Sequence, residues 1–279
     1  MSPAPRLHWW GTVLYVPVLY GLGWLTSRPL VLLAPSWRAD QVDLAGLAVS
    51  LGLLLLTLPL RLGRVWGTNQ PWRRLGVRAP GLVPALRALL RGLIKALLLL
   101  VPLTAVLLLS GQAHWLGELG EATLLNALAL VLGVGFAEEL LFRGWLWGEL
   151  ELQLGAGKAL WVQAGVFALL HPWYRMPGLE ALALLGGLML LGLVLALQRR
   201  ADGGLLWGAI GLHGGLVGGW FALQHGLLEL SAAAPAWLVG PGAANQNPIG
   251  SVFGLGTLGL LLWVRRRWIT PLHDDVETI

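Results

Sequence analysis

The segment GFAEELLFRGWLW, residues 135–147, sets Glu138, Glu139 and Arg143 among otherwise apolar neighbours. On a helix, Glu139 and Arg143 are four residues apart and can pair on one face. Glu138 points about 100° away, so the arginine neutralises one carboxylate and leaves the other free. A free carboxylate in a low-dielectric site is a tunable base, able to take a proton from water. Two histidines, His171 and His213, also lie in apolar runs, and His225 lies near the end of another. Imidazole moves protons near neutral pH and binds metals. One carboxylate and two imidazoles could therefore activate water, hold a metal or relay protons, provided that the fold brings them together.

The elements that would position them are membrane helices. The chain of 279 residues is 56% hydrophobic and only 12% charged, with a mean hydropathy of +0.71. A water-soluble domain carries about a quarter charged residues. Disorder is excluded, because Leu, Val and Trp dominate. There is no cysteine, so disulfides and thiolate metal sites are out, and the redox compartment stays undetermined. Apolar runs of bilayer-spanning length, roughly 17–25 residues, occupy 9–26, 43–60, 93–110 and 122–141. Further runs occupy 158–171, 180–198, 204–223 and 249–264. The expected fold class is all-α, a polytopic integral membrane protein of about eight transmembrane helices. The first run has Arg6 upstream and no small-residue cleavage site after it, so it reads as a retained span, not a signal peptide.

Basic residues give the orientation. Residues 61–95 hold eight Lys or Arg and no acid, and read as a cytoplasmic, largely amphipathic connection over 61–91. With Arg6, Arg143, Lys158, Arg199, Arg200 and Arg265–Arg267, one side carries sixteen basic residues, against Arg28, Arg38 and Arg175 on the other. Both termini are thus expected in the cytoplasm. The placement at span ends also argues against nucleic acid, despite the net charge of +5. Three regions are expected: a helix pair with its basic connection (1–92), a membrane core (93–269) and a polar tail (270–279). Residues 235–248 read as a Gly/Pro/Asn loop on the opposite side. Most of the sixteen tryptophans are expected at interfaces, with Trp145, Trp147 and Trp220 close enough to the polar residues to line a pocket.

Depth tests whether the polar residues can meet. If the fourth helix continues to Leu154 and turns at GAGK, Glu138 lies roughly 24 Å above the turn, at about 1.5 Å per residue. His171 lies roughly 20 Å above Lys158, and His213 on the order of 14 Å above Gly204. Three helices deliver polar groups at broadly similar depth.

These residues carry a resemblance. EELLFR fits E-E-x-x-x-R, FALLH (Phe167 to His171) fits F-x-x-x-H, and HGGLV (His213 to Val217) begins like H-x-x-x-N. In this order on separate apolar helices, the chain resembles the CPBP family of CAAX-protease and bacteriocin-processing (ABI) proteins, intramembrane proteases related to type II CAAX prenyl endopeptidases. The resemblance covers roughly 124–259, including NPIGSVFGL, with PWRRLGVRAPG similar to the family's upstream connection. It implies a peptidase acting on membrane-associated protein or peptide substrates, with Glu138 activating water. Glu139 and Arg143 would shape the site, and His171 and His213 would orient water, stabilise the oxyanion or bind a metal. Glu138, His171 and His213 with an open position would suit zinc; acid/base catalysis without metal is the other reading. One departure stands out: Val217 occupies the position of the usual Asn or Asp. Asn126, Gln163 or Gln224 could substitute if the fold brought one near.

Other readings compete. The glutamates and Arg143 could be a buried ion pair that locks packing, His171 an interfacial span end, and His213 an interhelical hydrogen bond. His114 and His225 read as interfacial, His8 and His273 carry no signal, and the glycines of LLGGLMLLG read as packing contacts. Beside the endopeptidase stand a catalytically inactive scaffold or chaperone of the same fold, motivated by Val217, and a proton-coupled transporter, for which no inverted repeat is visible. Plasma membrane and internal photosynthetic membrane are equally compatible with the composition.

Overall fold

The computed structural model describes residues 8–242 and 246–269. Arg6, the polar tail from Thr270 with His273, and part of the 235–248 loop lie outside them. The contacts divide the chain into two compact units, Met1–Arg74 and Leu75–Ile279. Composition put the boundary near residue 92, because residues 61–91, with Arg87 and Arg91, read as a connection before a span at 93–110. Both arginines lie instead on the first turns of a long helix, Leu82–Leu109. The expected 61–91 connection is correspondingly shorter, since the helix before it runs to Val65.

The first unit pairs two helices, α1 (Trp9–Ser27) and α2 (Ala39–Val65). Gly23 and Gly46 let them approach, because a Cβ on Gly46 would sit 2.8 Å from the Ser27 hydroxyl. Tyr15 and Thr57 share a hydroxyl hydrogen bond of 2.7 Å, and Arg28 pairs with Asp43 at 2.5 Å.

The second unit carries the motifs. Its helices are α3 (Leu82–Leu109), α4 (Glu121–Ala129), α5 (Gly135–Glu139), α6 (Trp147–Leu170), α7 (Gly178–Ala201), α8 (Trp207–Ala222) and α9 (Val252–Arg265). Between α4 and α5 the chain is π-helical over Leu130–Val134, and between α5 and α6 over Leu140–Leu146. The run from Glu121 is broken at Gly155, whose φ of 76° and ψ of 159° leave the helix. A left-handed φ of this kind costs glycine nothing and other residues much. The reversal falls within the expected GAGK turn. α6 ends at His171, which is extended (φ −86°, ψ 156°), as a residue preceding proline prefers.

α8 is the most enclosed helix and packs chiefly on α3. Glycines permit the approach on both sides of it. A Cβ on Gly214 would collide with the Val131 carbonyl, and one on Gly135 would lie 3.0 Å from the Gly214 Cα. In LLGGLMLLG, Gly187 meets the Ile249 backbone and Gly192 meets Ala164, so these glycines are packing contacts. A short antiparallel ladder, β1 (Ala113–Trp115) with β2 (Leu228–Leu230), joins the segments following α3 and α8; no sequence pattern announced it.

Large apolar side chains stand on the outer surfaces, among them Leu56 at 73%, Leu98 at 65% and Leu109 at 89% exposure. In water such surfaces would associate; in hydrocarbon they are solvated. Among the described residues, five helical stretches are long and apolar enough to cross a bilayer. Three match expected spans one to one in the order 9–26, 43–60 and 93–110, and one matches 180–198. The stretch Glu121–Arg175 absorbs both 122–141 and 158–171. The last two expected spans are helical but shorter, α8 with 16 residues and α9 with 14.

Candidate active site

The sequence-predicted residues converge. The Glu138 Oε2 lies 3.5 Å from His171 Nε2 and 3.8 Å from His213 Nε2. Glu139, fully buried, shares its Oε1 between Arg143 Nη1, which donates at 2.8 Å, and His213 Nδ1, also at 2.8 Å. The i, i+4 pair and the separate direction of Glu138 follow from helical geometry, although a π-helical segment begins right after Glu139. Such segments widen the turn and occur preferentially at functional sites. Two of them flank α5 and place both carboxylates on the side of α8.

The hydrogen bonds orient both imidazoles. His171 Nδ1 lies 2.7 Å from the Phe167 carbonyl, which can only accept, so Nδ1 carries the proton. His213 Nδ1 faces a carboxylate oxygen and donates in the same way. Each ring therefore turns its Nε2 towards Glu138. Glu138 Oε2, Glu139 Oε2, and Arg143 Nε and Nη2 are buried, and none has a hydrogen-bond partner among the described residues.

Phe167 is the hub that sequence reasoning recorded only as the first letter of a motif. Its buried ring lies 4.4 Å from His171 and meets His213 edge-on at 5.7 Å, measured between ring centres. The Arg143 guanidinium stands 4.1 Å over the same ring, a favourable cation–π geometry. The i, i+4 spacing of Phe167 and His171 was the available signal. A second residue was missed. Arg199 donates through Nη1 to the Arg143 carbonyl and through Nε to the Gly204 carbonyl at 3.1 Å. It thereby ties the π-helical segment carrying Arg143 to the loop that leads into the His213 helix. Arg143 itself was counted with the basic loops; it is fully buried, which corrects that count without reversing the asymmetry.

The remaining candidates have other tasks. Trp145 donates to Glu149 at 2.7 Å, Trp147 lies under the guanidinium groups of Arg199 and Arg200, and Trp220 donates to the Gln246 carbonyl at 2.7 Å. Val217 is half-buried one turn beyond His213. None of the three proposed substitutes reaches it through a recorded contact. Gln163 donates to the Leu160 and Gly192 carbonyls, Gln224 donates to Gln246, and Asn126 is exposed. His225 stacks on Phe221 beside a separate recess of about 440 Å³, and His114 sits opposite Glu229 on the ladder.

Among the described residues, no group of three or more His, Asp or Glu side chains is arranged to hold a metal ion. Glu138, His171 and His213, the expected zinc set, are not among such groups.

Comparison with known proteins agrees with the motif helices. Residues 1–70 match a domain of unknown function, DUF8676. Residues 120–219 match the family described as type II CAAX prenyl endopeptidase Rce1-like. This match contains Glu138, Glu139, Arg143, His171 and His213 and stops short of NPIGSVFGL, which the resemblance had included. No curated protein and no solved structure matches the chain. The two glutamates and two histidines thus lie within the one segment, residues 120–219, that is similar to the type II CAAX prenyl endopeptidase Rce1-like family.

Proposed function

We propose that the protein is an intramembrane endopeptidase that hydrolyses peptide bonds of membrane-associated proteins with water activated by Glu138. The observation that carries this reading is the buried, unpartnered Glu138 Oε2 facing two imidazole Nε2 atoms. Water lying against the Glu138 carboxylate and the two imidazole rings would donate one proton to Glu138 as its oxygen attacks the scissile carbonyl. The proton then passes to the leaving amine, so the carboxylate serves first as base and then as acid. His213 is held by Glu139, and Glu139 by Arg143; these residues position the imidazole. His171 is held by the Phe167 carbonyl and faces the same water. Enclosure by apolar helices keeps bulk water out and strengthens each of these interactions. The substrate class is a membrane-associated protein or peptide, and the CAAX name is not taken as its specificity. We place the protein in the cell membrane, crossing several times, with both termini on the basic, cytoplasmic side; counting α8 and α9 as spans gives about eight crossings.

A second reading, a catalytically inactive scaffold of the same fold, is favoured by Val217, which can neither donate to an oxyanion nor accept from a water. Glu138→Ala separates the two. Cleavage of a membrane-tethered peptide should vanish if the protein is a protease, while partner retention that survives the substitution, in a wild-type protein that cleaves nothing, would establish the scaffold.

A further inference from the structure

The basic end of the second unit holds an unassigned constellation. Lys95 of α3 and Arg265 of α9 converge on one neutral atom, the Gln198 Oε1 of α7, at 2.6 and 3.4 Å. The nearby carboxylate is already engaged. Asp202, whose side chain is 3% exposed, pairs with Arg91 at 2.6 Å and accepts from the Gln198 Nε2 at 2.6 Å. Three cations therefore surround one carboxylate, and two of them crowd a single uncharged oxygen. Like charges this close repel, and an anion lying between them would relieve the repulsion.

A second observation says what kind of anion. Between the same two helices, directly towards the membrane interior, lies a shallow apolar crevice lined in part by Leu99, Leu103, Phe253, Thr257 and Leu258. Leu99 lies one turn beyond Lys95, and Leu258 two turns before Arg265, so the crevice shares their helix faces. The flanking outer surface is apolar as well, with Leu98 at 65% and Trp263 at 60% exposure. A cationic pair at the headgroup level above an apolar groove matches a molecule with a phosphate and a hydrocarbon tail.

We propose that Lys95 and Arg265 bind the phosphate of an anionic membrane phospholipid, with one acyl chain lying along the apolar outer surface over the shallow crevice between α3 and α9. Such a lipid would complete the contact between these helices at the end where Gln198 and Asp202 tie them to α7. The site is independent of proteolysis.

The test uses the purified full chain, with native mass spectrometry reading retention of phosphatidylglycerol against phosphatidylcholine, and inorganic phosphate as a third arm. Each basic residue near a headgroup contributes about fivefold in affinity, so the wild type should retain phosphatidylglycerol roughly 30-fold better. Lys95→Gln with Arg265→Gln should bring the ratio to near parity. Leu99→Trp, which fills the crevice, should weaken both lipids, and Arg87→Gln on the exposed face of α3 should leave the ratio unchanged. Equal retention of the two lipids by the wild type would overturn the site even if the double variant failed to fold. Protection by inorganic phosphate alone, equal to that by phosphatidylglycerol, would overturn its identity as a lipid site.

Discussion

Two groups of polar side chains lie within one apolar bundle and treat their hydrogen bonds differently. At the basic end, Lys95 donates to Gln198, Gln198 donates to Asp202, and Asp202 accepts from Arg91; none of these four side chains keeps a buried atom without a partner. At mid-depth, Glu138, Glu139 and Arg143 each keep at least one buried atom unpartnered. A buried polar atom left unsatisfied costs about 1–3 kcal/mol. The first network has the pattern of a structural clasp. The second maintains unmet hydrogen-bonding capacity next to two oriented imidazoles, as a site awaiting water and substrate would.

That contrast can be broken at several points. Arg143→Met leaves Glu139 buried with only His213 to answer it, so unfolding should become easier by about 3–5 kcal/mol; chemical denaturation in detergent reads this, and a loss below about 1 kcal/mol would mean the pair is not the keystone of the site. Val217→Asn restores a donor one turn from His213. If a missing oxyanion donor limits the enzyme, the cleavage rate should rise by about 10²-fold, as measured on a membrane-tethered peptide; an unchanged rate would show that Val217 does not stand at the reacting oxyanion. Asp202→Ala opens the clasp near the surface, where Arg91 is half-exposed, and should cost only about 1–2 kcal/mol. The order of the two stability losses, Arg143 above Asp202, is the comparison in its sharpest form.

Much of this arrangement was legible in the sequence, for identifiable reasons. Helical spacing alone sets Glu139 against Arg143 and turns Glu138 elsewhere. Pro172 ends a helix at His171, and GAGK reverses the chain at Gly155, which together fix the depth of one histidine. The glycines flanking His213 announce close helix contact, and Gly214 makes it against Val131. The π-helical turns were not legible, because a widened turn leaves the spacing of apolar residues almost unchanged. The ladder of β1 and β2 is three residues long on each side, too short for alternation to register. Arg143 also entered the count of basic residues on one side, because such a count ignores partners, and Glu139 is what buries it. The last two expected spans fall on short helices: α8, enclosed by protein on most of its surface, has less need of lipid-matching length.

The most direct measurement of the central claim is single-turnover cleavage by the wild type and by Glu138→Gln, each normalised to its folded fraction. Glutamine keeps the shape and removes the base, so the rate should fall by about 10⁴-fold, while resistance to unfolding is retained or improved. Cleavage within about threefold of the wild type, from a variant shown to be folded, would contradict the assignment of Glu138 as the base that activates water.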